Sequence, residues 1–124
     1  MAARTVGTRT FTTAAEARAY QAHQWTEAQF QQVVMSAARR LGWRIYHTHD
    51  SRRSQPGFPD LVLVHTLHGV LWRELKRAKG GRVSPEQAEW LECLTIAGQD
   101  ARIWRPQDWL DGTITNELRG GDTT

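Results

Sequence analysis

The chain has 124 residues and a mass of 14.2 kDa, enough for one domain with a single core and too short for two substantial ones. Hydrophobic residues make up 40% and charged residues 23%, as in ordinary globular proteins, and no apolar run approaches the roughly 20 residues that span a bilayer, which excludes a membrane helix. A formal charge of +3 and a pI near 9.6 suit a polyanionic partner.

The first residues, Met1 to Thr8, lack the apolar centre of a secretory signal, and the lone Cys93 cannot form an internal disulfide. A cytoplasmic protein is therefore expected. Residues 1–24 mix Thr, Ala, Arg and Gln without a convincing apolar period. They are expected to form an arm, flexible or carrying a polar helix at Ala14 to Gln24, with no part in the core.

Thr26-Glu27-Ala28-Gln29 matches a capping box and opens a helix. Its apolar positions Phe30, Val33, Val34, Ala37, Ala38 and Leu41 recur at the spacing of one helical face, and Gly42 ends it. Trp43 to Thr48 alternates as a strand does, and Asp50 to Pro59 is a polar loop rich in Ser, Arg, Gly and Pro. Leu61-Val62-Leu63-Val64 has the character of a central strand buried on both faces. After a turn at Leu67-His68-Gly69, Val70 to Lys76 forms a third strand, followed by the basic Arg77 to Arg82.

Ser84-Pro85-Glu86-Gln87 is a second capping box with Pro at the favoured first helical position. The helix it opens is amphipathic through Ala88, Leu91 and Leu94, with Trp90 beside them, and ends at Gly98. Ala101 to Trp104 is the last strand, stopped by Pro106. Residues 111–124 lose periodicity and are expected to be a flexible tail.

Folding the two strands about the Leu67-His68-Gly69 turn brings Asp60 within a residue or so of opposite Glu74 to Lys76, where paired residues lie about 5 Å apart. Glu74 and Lys76, two apart, share a face. Two carboxylates held so close repel unless a cation sits between them. Mg²⁺ suits such a pair, because it takes a few protein oxygens and keeps several waters; Mn²⁺ is the alternative. Lys76 would orient or help deprotonate a metal-bound water, or contact a phosphate. Of the 16 cationic residues only Lys76 and Lys79 are lysine, so a compact, tunable ammonium has been kept at 76 in a chain that otherwise uses arginine.

Pro59-Asp60 followed by Glu74-Leu75-Lys76 resembles the PD-(D/E)XK nuclease signature. Arg82-Val83-Ser84-Pro85-Glu86-Gln87 with Trp90-Leu91 resembles its VRR-NUC branch. The likeness covers roughly Thr26 to Arg105 and implies an α/β, restriction-endonuclease-like core of order αβββαβ, a mixed four-stranded sheet flanked by helices, with the nuclease domain at 25–110. It implies that Asp60, Glu74 and the backbone carbonyl of Leu75 hold the metal. Lys76 would be the catalytic lysine, Gln87 a supporting active-site residue, and Glu27 an acid of the first helix reaching the metal.

Each residue type also has an ordinary explanation. Asp60 follows a proline and could cap a turn. Glu74 and Lys76 could form an exposed ion pair, a reading that Arg73 and Arg77 permit by interrupting the apolar pattern. The cap alone accounts for Gln87, and the helix dipole favours an acid at Glu27. Their convergence favours chemistry. His47 and His49 have no third ligand that would make a zinc site. Arg52, Arg53, Arg77, Lys79 and Arg82 flank the site and suit phosphate contacts.

The expected function is metal-dependent hydrolysis of DNA phosphodiester bonds, structure-selective and endonucleolytic, with a homodimer that cuts two strands as one arrangement. No helix-turn-helix or zinc finger is visible, which favours recognition of shape over sequence. The alternative is a DNA-binding or assembly module of a replication or packaging complex that does not cleave.

Overall fold

A computed structural model of the chain describes residues 4–6, 9–49, 53 and 55–121. Strands β1 (Arg4–Val6) and β2 (Arg9–Phe11) form an antiparallel hairpin leading into helix α1 (Ala14–Gln24). Helix α2 (Glu27–Arg40) follows, then β3 (Arg44–His47), β4 (Leu61–His65) and β5 (Gly69–Leu75). Helix α3 (Pro85–Ile96) crosses to β6 (Asp100–Trp104), and the short helices α4 (Pro106–Leu110) and α5 (Thr113–Leu118) end the described chain. No helix among the described residues is long and apolar enough to cross a membrane.

The sheet order is β3-β4-β5-β6, antiparallel except for the parallel pairing of β5 with β6. A parallel neighbour needs a crossover, and α3 supplies it. The result is the mixed four-stranded sheet flanked by helices that the sequence predicted. Both predicted capping boxes form. Thr26 Oγ1 accepts from the Gln29 N–H at 3.1 Å while Gln29 Oε1 accepts from the Thr26 N–H at 2.9 Å, and the Ser84–Gln87 pair repeats the pattern.

One face of the sheet makes the core. Phe30, Val34, Met35, Ala37 and Ala38 of α2 pack with Leu61, Leu63, Leu71, Leu75, Trp104 and Trp43. Ile114 and Leu118 of α5 complete this core, so the flexible tail expected beyond residue 111 is corrected: Thr113–Leu118 is a helix whose apolar side is fully buried. The Trp43 indole N–H donates to the Leu118 carbonyl at 2.8 Å and ties that helix down. The amino-terminal arm also has a larger part than expected. Ala17 and Ala22 of α1 are buried, and the helix packs against α4.

Two further expectations change. Strand β4 is interior in the sheet but covered on one face only, since Leu61 and Leu63 are buried while Val64 is 43% exposed. Helix α3 buries no residue completely and leaves Ala88 exposed, because it lies along the edge strand β6 and not across the middle of the sheet.

Candidate active site

Register brings the two key carboxylates together. Leu61 pairs with Arg73, and one step back along β4 the same register sets Asp60 opposite Glu74. The Thr48 N–H donates to the Asp60 carbonyl at 3.0 Å, which extends the β3–β4 ladder and fixes the Asp60 backbone. Its side chain is held as well, because Asp60 Oδ2 accepts from the Leu75 N–H at 2.8 Å.

The next amide, that of Lys76, points to the opposite edge of β5 and donates to the Trp104 carbonyl at 3.0 Å. A residue's N–H and C=O leave an extended strand on the same side, so the Leu75 carbonyl is directed toward Asp60. Glu74 and Lys76 share the other face of β5 from the core, yet both are buried, at 1% and 8% exposure.

Neither oxygen of Glu74 meets an N–H or hydroxyl donor among the described residues; the group it faces is the Asp60 carboxyl. Burial is the main cause that pushes this carboxyl up to about 9. The neighbouring Asp60 adds to the rise by sharing a proton and by its charge, Lys76 opposes it, and Glu27 adds a smaller push. Glu27, in the first turn of α2, stays exposed to solvent yet is also raised, chiefly by partial desolvation; Lys76 counters this, Asp60 reinforces it and Arg77 counters it. The four groups Asp60, Glu74, Lys76 and Glu27 thus lie within one electrostatic neighbourhood.

A buried carboxylate pair of this kind is neutralised by a proton or by a divalent cation. The donor set fits a hard cation: two carboxylates and a peptide carbonyl are all oxygen ligands, and the Glu74 oxygens, which no N–H or hydroxyl among the described residues engages, are free to bind. Among the described residues no three His, Cys, Asp or Glu side chains cluster as a complete metal cage.

Glu27 and Lys76 open onto a pocket of about 400 Å³ shared with Arg77, Gly80, Gly81 and Arg82. Its floor is tightly built. A Cβ on Gly81 would stand 2.8 Å from the Arg77 carbonyl oxygen and 3.1 Å from Lys76 Cβ, so only glycine lets this loop close over the lysine. Arg105 Nη1 donates to the carbonyls of Gly81 at 2.9 Å and of Arg77 at 3.4 Å and holds the loop from below. Arg77, Lys79 and Arg82 are exposed at the rim, Arg53 is exposed in the preceding loop, and Arg52 lies outside the described residues.

Gln87 is placed differently from the others. Its side-chain oxygen is committed to the Ser84 N–H, and no hydrogen bond joins it to Asp60, Glu74 or Lys76 among the described residues. His47 and His49 face each other with ring centroids 4.1 Å apart, without the third donor that a zinc site needs among the described residues.

Sequence reasoning missed the support for Pro59-Asp60. The Trp90 indole N–H donates to the Pro56 carbonyl at 3.1 Å, and the Phe58 ring stands edge-on to Trp90 and Trp72 at 5.1 and 6.2 Å. Gly57 adopts φ +84, and a Cβ there would lie 2.4 Å from the Glu86 carbonyl carbon. The loop is thus clamped onto the start of α3, which the Ser84–Gln87 cap keeps in place. A glycine two residues ahead of Pro59 was the available signal.

A family model of the VRR-NUC domain matches residues 10–107. Among solved structures, one described as a VRR_NUC domain protein is 24% identical, covering 79% of this chain and 92% of its own, with a TM-score of 0.61, a likeness that supports the fold. A search of curated proteins found no match.

Proposed function

The chain belongs to the VRR-NUC domain family, a nuclease-type family, and from that premise we propose that it is a Mg²⁺- or Mn²⁺-dependent, structure-selective endonuclease acting on DNA. The observation that carries this reading is the buried Glu74 carboxylate, without a donor for either oxygen, facing Asp60 and flanked by Lys76.

Asp60, Glu74 and the Leu75 carbonyl would hold the ion, with Glu27 as a further donor. When bound, it would polarise the phosphodiester, acidify a water and neutralise charge that develops on the phosphate. Glu74 gives up the proton that burial otherwise forces on it. Asp60, fixed by the Leu75 N–H, keeps its carboxylate aimed while that exchange occurs. Lys76 Nζ, in the pocket wall beside Glu27, orients the attacking water and offers a proton donor to the phosphate oxygens. Arg53, Arg77, Lys79 and Arg82 supply exposed charge for the neighbouring phosphates. A pair of such chains would cut two strands.

Incubating the protein with end-labelled linear, flapped and four-way DNA in Mg²⁺ or Mn²⁺ tests the proposal. Cleavage of branched substrates that requires the ion and is lost in Lys76→Ala and Asp60→Asn is expected. Cleavage unchanged in both variants would remove these residues from the mechanism, and tight DNA binding without cleavage in any ion would assign a non-cleaving module instead.

A further inference from the structure

The sheet has a second face, opposite the core, where the α3 packing concentrates on β6 and leaves β3 and the far end of β4 open. Over β3 and β4 that face carries Arg44, Tyr46, Val62 and Val64, with Tyr46 paired to Val62 and Arg44 to Val64. Tyr46 is 63% exposed and Val64 43%. We propose that this open face binds an unpaired DNA strand as it enters the site, with Tyr46 stacking on a base and Arg44 contacting a phosphate. The inference rests on the nuclease reading and adds to it a surface, outside the carboxylate site, that would hold the unpaired strand.

Continuity with the site is the first argument. Val62 and Asp60 are two residues apart on β4 and share a face, so they are separated by about 6.6 Å along the strand. Tyr46 stands beside Val62, and Arg44 lies one further step of the same length away. Asp60, Tyr46 and Arg44 thus follow a line that crosses diagonally from β4 to β3, with a first step of about 7–8 Å and a second of about 6.6 Å, near the spacing of successive nucleotides in an extended strand.

Charge is the second argument. An open groove of about 530 Å³ wraps round the β3 edge of this face, lined by the exposed Arg39 and Arg44 with Tyr46, Val62 and Val64 and, from the core side, Trp43 and Ile45, and its described lining holds no carboxylate. An aromatic ring on an apolar floor between cations is the platform on which single strands stack, and it accepts any base. This agrees with a chain that has no base-reading motif. Bases within a duplex keep their faces stacked on one another, so the ring selects a strand whose bases are unpaired.

Fluorescence anisotropy of a fluorescein-labelled deoxythymidine oligonucleotide, in EDTA so that cleavage plays no part, tests the proposal. Tyr46→Ala is expected to weaken binding about tenfold, within the range for one lost stacking contact, while Tyr46→Phe stays near wild type. Arg44→Ala is expected to weaken binding and lower the salt slope by about one. A 2-aminopurine base in the oligonucleotide should be quenched by wild type and not by Tyr46→Ala, a readout that a purely structural residue would not move.

Should Tyr46→Ala bind the oligonucleotide as wild type does while wild type still cuts flapped DNA, this surface assignment is overturned and the nuclease reading stands. Tyr46-dependent binding with no cleavage in any ion would keep the surface and overturn the nuclease reading. Loss of a dimer in sedimentation of Tyr46→Ala, with oligonucleotide binding unchanged, would make the face a contact between copies and also overturn the proposal.

Discussion

Arg73 and Glu74 are neighbours on β5, point to opposite faces of the sheet and are both buried, yet their surroundings differ completely. Arg73 Nη2 pairs with Glu117 at 2.5 Å and Asp100 Oδ1 at 3.0 Å. Its Nη1 donates to the Asp100 carbonyl at 2.6 Å and the Trp72 carbonyl at 3.1 Å, and its guanidinium lies 4.8 Å from the Trp104 ring centre. Among the described residues its Nε finds no partner. The Trp104 indole N–H completes the group by donating to Glu117 Oε1 at 3.2 Å.

Glu74, one residue on, has no donor for either oxygen and another carboxylate opposite it. A buried charge surrounded by opposite charge and hydrogen bonds belongs to the scaffold. A buried carboxyl without such surroundings keeps a proton or takes a cation instead, and here the exposed Arg77, Lys79 and Arg82 follow it in the next loop.

The contrast breaks most visibly in catalysis. Asp60→Asn and Lys76→Ala should lower the cleavage rate by about 10²- to 10⁴-fold, measured on flapped DNA with saturating Mn²⁺, while thermal unfolding of the metal-free protein stays within a few degrees of wild type or rises. A fall in stability as large as the fall in activity would make the Asp60–Glu74 side structural after all.

On the scaffold side, Glu117→Ala removes the buried counter-charge of the guanidinium and leaves only the partly exposed Asp100, which should cost about 3 kcal/mol, read from urea unfolding. If that variant unfolds at the wild-type midpoint, the Arg73 group is not what anchors α5.

A smaller effect sharpens the difference through pH. In the folded, metal-free chain Glu74 keeps its proton up to about pH 9, whereas in the unfolded chain it loses it near the ordinary 4.5. The folded state therefore holds the extra proton across that window. Stability from this group is fully present below about 4.5 and is lost as pH rises toward 9. Asp60 and Glu27 press in that direction and Lys76 against it. Thermal unfolding in EDTA across that range should show the decline in wild type, and Glu74→Gln should flatten it; an equal decline in both would assign the slope elsewhere.

How much of this was legible in the sequence follows the same division. The carboxylate side was readable because its parts are local: a tight turn, a two-residue spacing in β5, and capping boxes whose partners lie three residues apart. Arg73 misled, since it interrupts an apolar strand and its main counter-charge, Glu117, lies 44 residues away. That residue sits in a six-residue helix too short to display a period, in a stretch expected to be a tail. The four-residue apolar run Leu61–Val64 likewise gave no sign that one face would stay open, because where α3 lands depends on the crossover and not on β4.

The most direct test titrates Mn²⁺ into wild type and Glu74→Gln by isothermal calorimetry near pH 7, in two buffers of different ionisation enthalpy. Wild type should bind the ion and release about one proton per ion, the proton that burial holds on Glu74, and Glu74→Gln should lose both the binding and the release. Equal binding by the two proteins, or binding without proton release, would contradict the assignment of this buried carboxylate to a metal.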